Sequence, residues 1–165
     1  MKAHTQSEEP RTVLVVDDDS RLLRSLARLI RSADVNALTF ERPAHLLASE
    51  VPKTNACLLL DVHLPEMNGV QLYEKLAVAR RDLPVIMMTG RDDTQTRHLL
   101  QRVSAVAVLI KPFDESLLLD AISRALALSR NGFGAFCLRH GIVARRLLYW
   151  LAGGGGPPQS SAEYR

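Results

Sequence analysis

The sequence predicts an α/β protein in which a doubly wound parallel sheet is covered by helices on both faces. Two observations predict it. Five short apolar runs alternate along the chain with five stretches of helical periodicity. The apolar runs are nearly continuous and stop abruptly at polar residues, as strands buried on both faces do. Strands alternating with helices of about 10 to 15 residues build βαβ units and a parallel sheet.

The first strand is read at residues 12–17, TVLVVD, a β-branched run that stops at acids. A helix follows from Ser20, where Leu22, Leu23, Leu26, Leu29 and Ile30 recur at helical spacing. Arg21, Arg24, Arg28 and Arg31 lie between them and give that helix a solvated basic face. Residues 35–40 read as a second strand, and 43–49 as a short helix with Pro in its first turn. Residues 56–61 form a third strand, 68–80 a helix, 83–89 a strand, 93–103 a helix, 106–110 the last strand and 114–129 the last helix.

With 165 residues, 47% of them hydrophobic and 24% charged, the chain has the size and balance of one globular domain with a modest extension. No apolar run approaches the roughly 20 residues of a membrane span. The start, MKAHTQSEEP, is too polar for a secretory signal, so a cytoplasmic location without membrane partners is expected. Cys57 and Cys137 are far apart, and Cys57 sits in an apolar run, which favours a buried thiol over a disulfide. Residues 1–129 hold 16 Lys and Arg against 17 Asp and Glu, whereas residues 130–165 hold 5 against 1. The expected organisation is a flexible segment at 1–10, a domain at 11–129 and a basic, Gly- and Pro-rich tail at 130–165. Within that tail, residues 142–151 have the pattern of a short helix.

In open parallel sheets, ligands sit beyond the carboxyl ends of the strands. Those ends carry Asp17-Asp18-Asp19, Asp61, Thr89-Gly90 and Lys111-Pro112. The stretch CLLLDVHLPEMNG poses the problem sharply, because its apolar strand ends on the carboxylate of Asp61. A charge left unpaired at the edge of a core is expensive, so something should hold it there. Taken singly, each group has an ordinary reading as a helix cap or turn residue. Together they form a complementary set. Clustered carboxylates imply a bound cation, and all-oxygen ligands favour Mg²⁺. A carboxylate beside a divalent metal, a lysine and a hydroxyl is what acceptance of a phosphoryl group requires.

The combination of VVDDDS, LLLDVHLPEMNG, VIMMTG and LIKPF resembles the receiver domain of two-component response regulators, the CheY-like superfamily, and within it FixJ-like receivers. The resemblance covers about residues 11–129. It implies a flavodoxin-like (βα)5 fold with strand order 2-1-3-4-5 and a phosphorelay role in signal transduction. Asp61 would be the phosphoacceptor, and Asp17, Asp18 and Asp61 would bind Mg²⁺ together with the backbone carbonyl of His63. Thr89 would donate its hydroxyl to the phosphoryl group and Lys111 its ammonium, aimed by a cis peptide before Pro112. Asp19 is then a helix-start residue. The implied partners are a sensor histidine kinase or phosphotransfer protein and a downstream protein bound through helix 4, strand 5 and helix 5. Homodimerisation on phosphorylation is compatible with this scheme. Its only chemistry would be phosphoryl acceptance and autodephosphorylation, not turnover of a substrate by an enzyme.

Two departures stand out. The family usually carries Phe or Tyr three residues before the lysine, where this chain has Val108, and the Gly that commonly precedes that strand is absent from RVSAVAVLI. A FixJ-like regulator also continues into a helix-turn-helix domain of about 60 residues or more. The tail is too short and too rich in Gly and Pro for one, which argues against specific DNA binding. A stand-alone receiver is the favoured reading, with a truncated FixJ-like transcription regulator as the alternative. A haloacid-dehalogenase-type phosphohydrolase would use Asp17 and Asp19, but it needs an acidic pair after the lysine and leaves Asp61 without a role. His4, His45, His63, His98 and His140 lack metal-ligand spacing, and Cys137 with His140 makes no convincing dyad.

Overall fold

A computed structural model describes residues 10–52, 54–79 and 83–130. The elements alternate as β1 Thr12–Val16, α1 Ser20–Ser32, β2 Asn36–Phe40, α2 Pro43–Ala48, β3 Ala56–Asp61, α3 Gly69–Val78, β4 Val85–Thr89, α4 Thr94–Leu100, β5 Ala107–Ile110 and α5 Glu115–Arg130. The strands form one five-stranded sheet in the order β2-β1-β3-β4-β5, with every neighbour parallel. The expected fold class and strand order are therefore those observed.

Alternation along each strand divides the core into two layers. Val13, Val15, Cys57, Leu59, Ile86, Met88 and Leu109 face Leu23, Leu26 and Ile30 of α1 and Leu118, Ile122 and Leu126 of α5. Leu14, Val16, Leu58, Leu60, Met87 and Val108 face Leu46 of α2, Leu72 and Leu76 of α3 and Leu100 of α4. Side chains two apart share a face, which is why one run such as CLLL feeds both layers. The central strands β1, β3 and β4 are buried throughout, while β2 is a half-exposed edge.

Several boundaries differ from the sequence reading, each for a local reason. β2 begins at Asn36 because the chain turns at Asp34 with φ 56°, a left-handed conformation that Asp tolerates better than most residues. β4 begins at Val85, since Pro84 offers no N–H to the ladder; its carbonyl instead accepts from Leu58. α3 starts one residue late because Asn68 is its N-cap, in a capping box with Gln71. α4 is shorter at both ends. Asp93 is its cap, and after Leu100 the N–H groups of Arg102 and Val103 reach back only three residues, to Leu99 and Leu100. The N-terminal segment through residue 9, Arg80 at the expected end of the third helix, and residues 131–165 with the expected short helix, Cys137 and His140 lie outside the described residues. No described helix is long and apolar enough to cross a membrane.

Candidate functional site

The carboxyl edge of the sheet brings three of the expected groups together. Lys111 Nζ donates to Asp17 Oδ2 at 2.5 Å and to Asp61 Oδ1 at 2.7 Å. Strand parity explains the meeting. Val13, Val15, Leu59 and Leu109 all face the α1/α5 layer, and the same alternation, carried to the strand ends, turns Asp17, Asp61 and Lys111 the same way. β5 stands two strand spacings from β3, about 10 Å, a gap that only a long flexible stem crosses. The Lys111–Pro112 bond is cis, as the resemblance implies.

Both carboxylates are buried, with Asp17 1% and Asp61 4% exposed. Burial opposes the charge of Asp17 and holds its pKa above the ordinary carboxyl value, although hydrogen bonds from Lys111 and from the Asp19 N–H work against that rise. Burial opposes the Lys111 charge as well, but hydrogen bonds to Asp17 and Asp61 outweigh it and raise its pKa. Asp61 Oδ2 accepts the backbone N–H of His63 at 2.7 Å. Each oxygen of the two carboxylates thus has one donor, while one ammonium faces two buried anions.

The remaining expected residues are placed differently. Asp18 is exposed and stands outside this hydrogen-bonded set. Thr89 is buried, and its hydroxyl closes a local turn, donating to the Arg91 carbonyl at 2.9 Å and accepting the Arg91 N–H at 3.1 Å. By parity Thr89 faces away from the Asp17 side of the sheet. Asp19 caps α1, accepting from Arg21 and Leu22, and those backbone bonds lower its pKa, the Leu22 bond most. Among the described residues no group of three or more His, Cys, Asp or Glu side chains is gathered as a metal would require. The donor chemistry nevertheless fits a hard divalent cation. Two buried carboxylates share one ammonium, so the pocket retains uncompensated negative charge with exposed Asp18 beside it.

Three further contacts, two of them beside Asp61, are visible only in the structure. Gly69 opens α3 against the strand: a Cβ there would lie 2.2 Å from the Asp61 carbonyl oxygen, and its N–H donates to the Val62 carbonyl at 2.9 Å. Thr96 of α4, 1% exposed, places Oγ1 3.3 Å from His63 Nε2. Ser129 near the end of α5 accepts the Ala56 N–H at the opposite edge of β3. Only Gly69 had a local signal, in the motif PEMNG; the other two contacts join residues far apart in sequence.

Residues 13–123 match the response regulator receiver domain family. Nodulation protein W of Bradyrhizobium diazoefficiens is 35% identical over 128 residues, which are 78% of this chain and 56% of that protein. Transcriptional regulatory protein FixJ of Azorhizobium caulinodans is 31% identical over 117 residues, 71% of this chain and again 56% of the relative. The chain therefore spans a little over half the length of these curated relatives. Among solved structures, response regulator StyR superposes with a TM-score of 0.67 at 33% identity, covering 77% of this chain and 64% of that one. The N-terminal part of FixJ superposes with a TM-score of 0.65 at 28% identity, covering 72% and 95%. Motifs, sheet order and family match agree: the chain belongs to the response regulator receiver domain family of two-component systems.

Proposed function

We propose that Asp61 accepts a phosphoryl group from the phosphohistidine of a sensor histidine kinase or phosphotransfer protein. The observation that carries this reading is the Lys111 ammonium bonded to both Asp17 and Asp61 at the carboxyl edge of the sheet. An Asp61 oxygen attacks phosphorus, the P–N bond breaks as the O–P bond forms, and the imidazole leaves with the bonding electron pair and a proton on its other nitrogen. Lys111 stabilises charge on the transferred group, and its grip on Asp17 keeps it in place while Asp61 reacts. Asp17, Asp18, Asp61 and the His63 carbonyl are the residues that would hold Mg²⁺, which would supply charge neutralisation of the phosphate oxygens. Thr89, which the family resemblance implies as a hydroxyl donor to the phosphoryl group, would first have to release the Arg91 carbonyl.

Phosphorylation would then alter the surface of α4, β5 and α5 toward a downstream protein or a second copy of the chain, in the cytoplasm. The test is direct. Incubation with Mg²⁺ and acetyl phosphate should add one phosphate, detected by intact mass, and Asp61→Asn should not be labelled. A wild-type chain that stays unlabelled under conditions that label an ordinary receiver removes the reading.

A further inference from the structure

The Asp61 carboxylate has two oxygens, and one hydrogen-bonded route leaves each. From Oδ1 the route runs through Lys111 to Asp17, whose Oδ1 accepts the N–H of Asp19, the cap of α1. From Oδ2 it runs to the N–H of His63, and the ring of the same residue meets the Thr96 hydroxyl on α4. The helices at the two ends differ. α1 has 13 residues and sinks Leu23, Leu26, Ala27 and Ile30 into the core. α4 has 7 residues and buries Thr96 and Leu100. The element with the smaller buried face is the one that shifts more readily.

We propose that His63 and Thr96 form a positioning pair that couples the Asp61 carboxylate to α4, with the Thr96 hydroxyl as the contact through which α4 senses Asp61. The inference rests on the reading that Asp61 accepts a phosphoryl group. Three observations support it. The Thr96 N–H donates to Asp93 Oδ1 at 2.7 Å, so a displacement of Thr96 acts directly on the cap of α4. His63 Nδ1 is buried without a partner among the described residues, which leaves the contact with Thr96 to orient the ring. At 3.3 Å that contact is long for a hydrogen bond, so a small movement of the loop decides whether it is made. The Thr89 hydroxyl, by contrast, is engaged with Arg91, and β5 carries aliphatic Val108, Leu109 and Ile110 before Lys111. Phosphorylation changes the charge on the oxygens that hold the His63 N–H, and that change reaches α4 through the ring. Coupling of this kind is reciprocal, so Thr96 also steadies the loop around Asp61.

Amide NMR of the full chain tests the pair. With Mg²⁺ and acetyl phosphate, residues 61–63 and 93–100 should shift together in the wild type. Thr96→Val keeps the shape and removes the hydroxyl; it should still be phosphorylated by mass, yet lose the α4 shifts. Thr96→Ser keeps the hydroxyl and should retain them. A full α4 response in phosphorylated Thr96→Val overturns the proposal, as does equal loss in both variants, which would assign Thr96 a packing role. Asp61→Ala, without any phosphodonor, removes the acceptor of the His63 N–H and should shift the His63 ring and Thr96 signals. If those signals move while the wild type takes no phosphate, the phosphoacceptor reading fails and the coupling stands. If they do not move, the coupling is wrong.

Discussion

Lys111 Nζ lies 2.7 Å from Asp61 Oδ1, spanning from one strand of the sheet to another across β4. The same ammonium also bonds Asp17, so one cation serves two buried carboxylates. Lys111→Met therefore leaves two anions facing each other. Asp17, already raised by burial, loses the hydrogen bond and charge that oppose the rise, and moves further up. A carboxyl whose folded pKa lies above its unfolded value binds more protons folded than unfolded. Stability then falls as pH rises from the unfolded value, near 3.8, through the folded one. Urea melts should show the variant weakened by about 1–3 kcal/mol at neutral pH and recovering toward acid. A deficit that does not change with pH would show that Asp17 does not take up the proton.

Asp18 separates chemistry from folding. It is exposed and outside the Lys111 set, so Asp18→Ala should keep stability within about 0.5 kcal/mol of the wild type. If Asp18 is a metal ligand, the same substitution should abolish Mg²⁺-dependent labelling of Asp61. Full labelling in this variant would take Asp18 out of the metal site, and chelation of Mg²⁺ in the wild type is the companion control.

Gly69 and Gly90 make a matched pair. A Cβ on Gly69 meets the Asp61 backbone carbonyl at 2.2 Å, whereas one on Gly90 meets nothing within 4 Å. Gly69→Ala should cost about 1–3 kcal/mol from overpacking despite the better helix propensity of Ala, and should slow labelling of Asp61 by moving its backbone. Gly90→Ala should leave thermal stability and labelling close to wild type. Equal tolerance of both would contradict the close approach.

Cys57 is fully buried in β3, and burial pushes its thiol up to about 12. Only the thiolate reacts, so alkylation of Cys57 in the native chain near neutral pH should be slow and become rapid in urea. Peptide mapping distinguishes it from Cys137. Rapid native labelling at Cys57 would mean that β3 opens locally.

Ser129 joins the end of α5 to the start of β3, its Oγ lying 3.1 Å from the Ala56 N. Ser129→Ala leaves a buried N–H without its acceptor and should cost about 1–3 kcal/mol in denaturant unfolding. No change would imply that water replaces the hydroxyl.

Much of this was legible locally. VVDDD, CLLLD, VIMMTG and LIKPF each announce a buried strand ending on a polar group, and the helices between them follow from apolar spacing. Element ends were less legible because caps and turns decide them: Asn68 and Asp93 bond backward onto helix N–H groups, and Asp34 turns the chain before β2. The three-acid metal cluster expected from Asp17, Asp18 and Asp61 is not gathered by the described side chains. Asp17 meets Lys111, whereas Asp18 lies exposed in the bend that follows β1.

The sequence by itself determined the fold class, the two apolar layers and the identity of the acid at the end of β3. Hydrophobic period and turn chemistry are local properties, and a single chain displays them in order. Tertiary structure decided that Lys111 serves both Asp17 and Asp61, that Gly69 touches the Asp61 carbonyl, and that His63 reaches Thr96. Those contacts depend on strand order and register, which bring residues as far apart as 17 and 111 within hydrogen-bonding distance, and no local pattern encodes them.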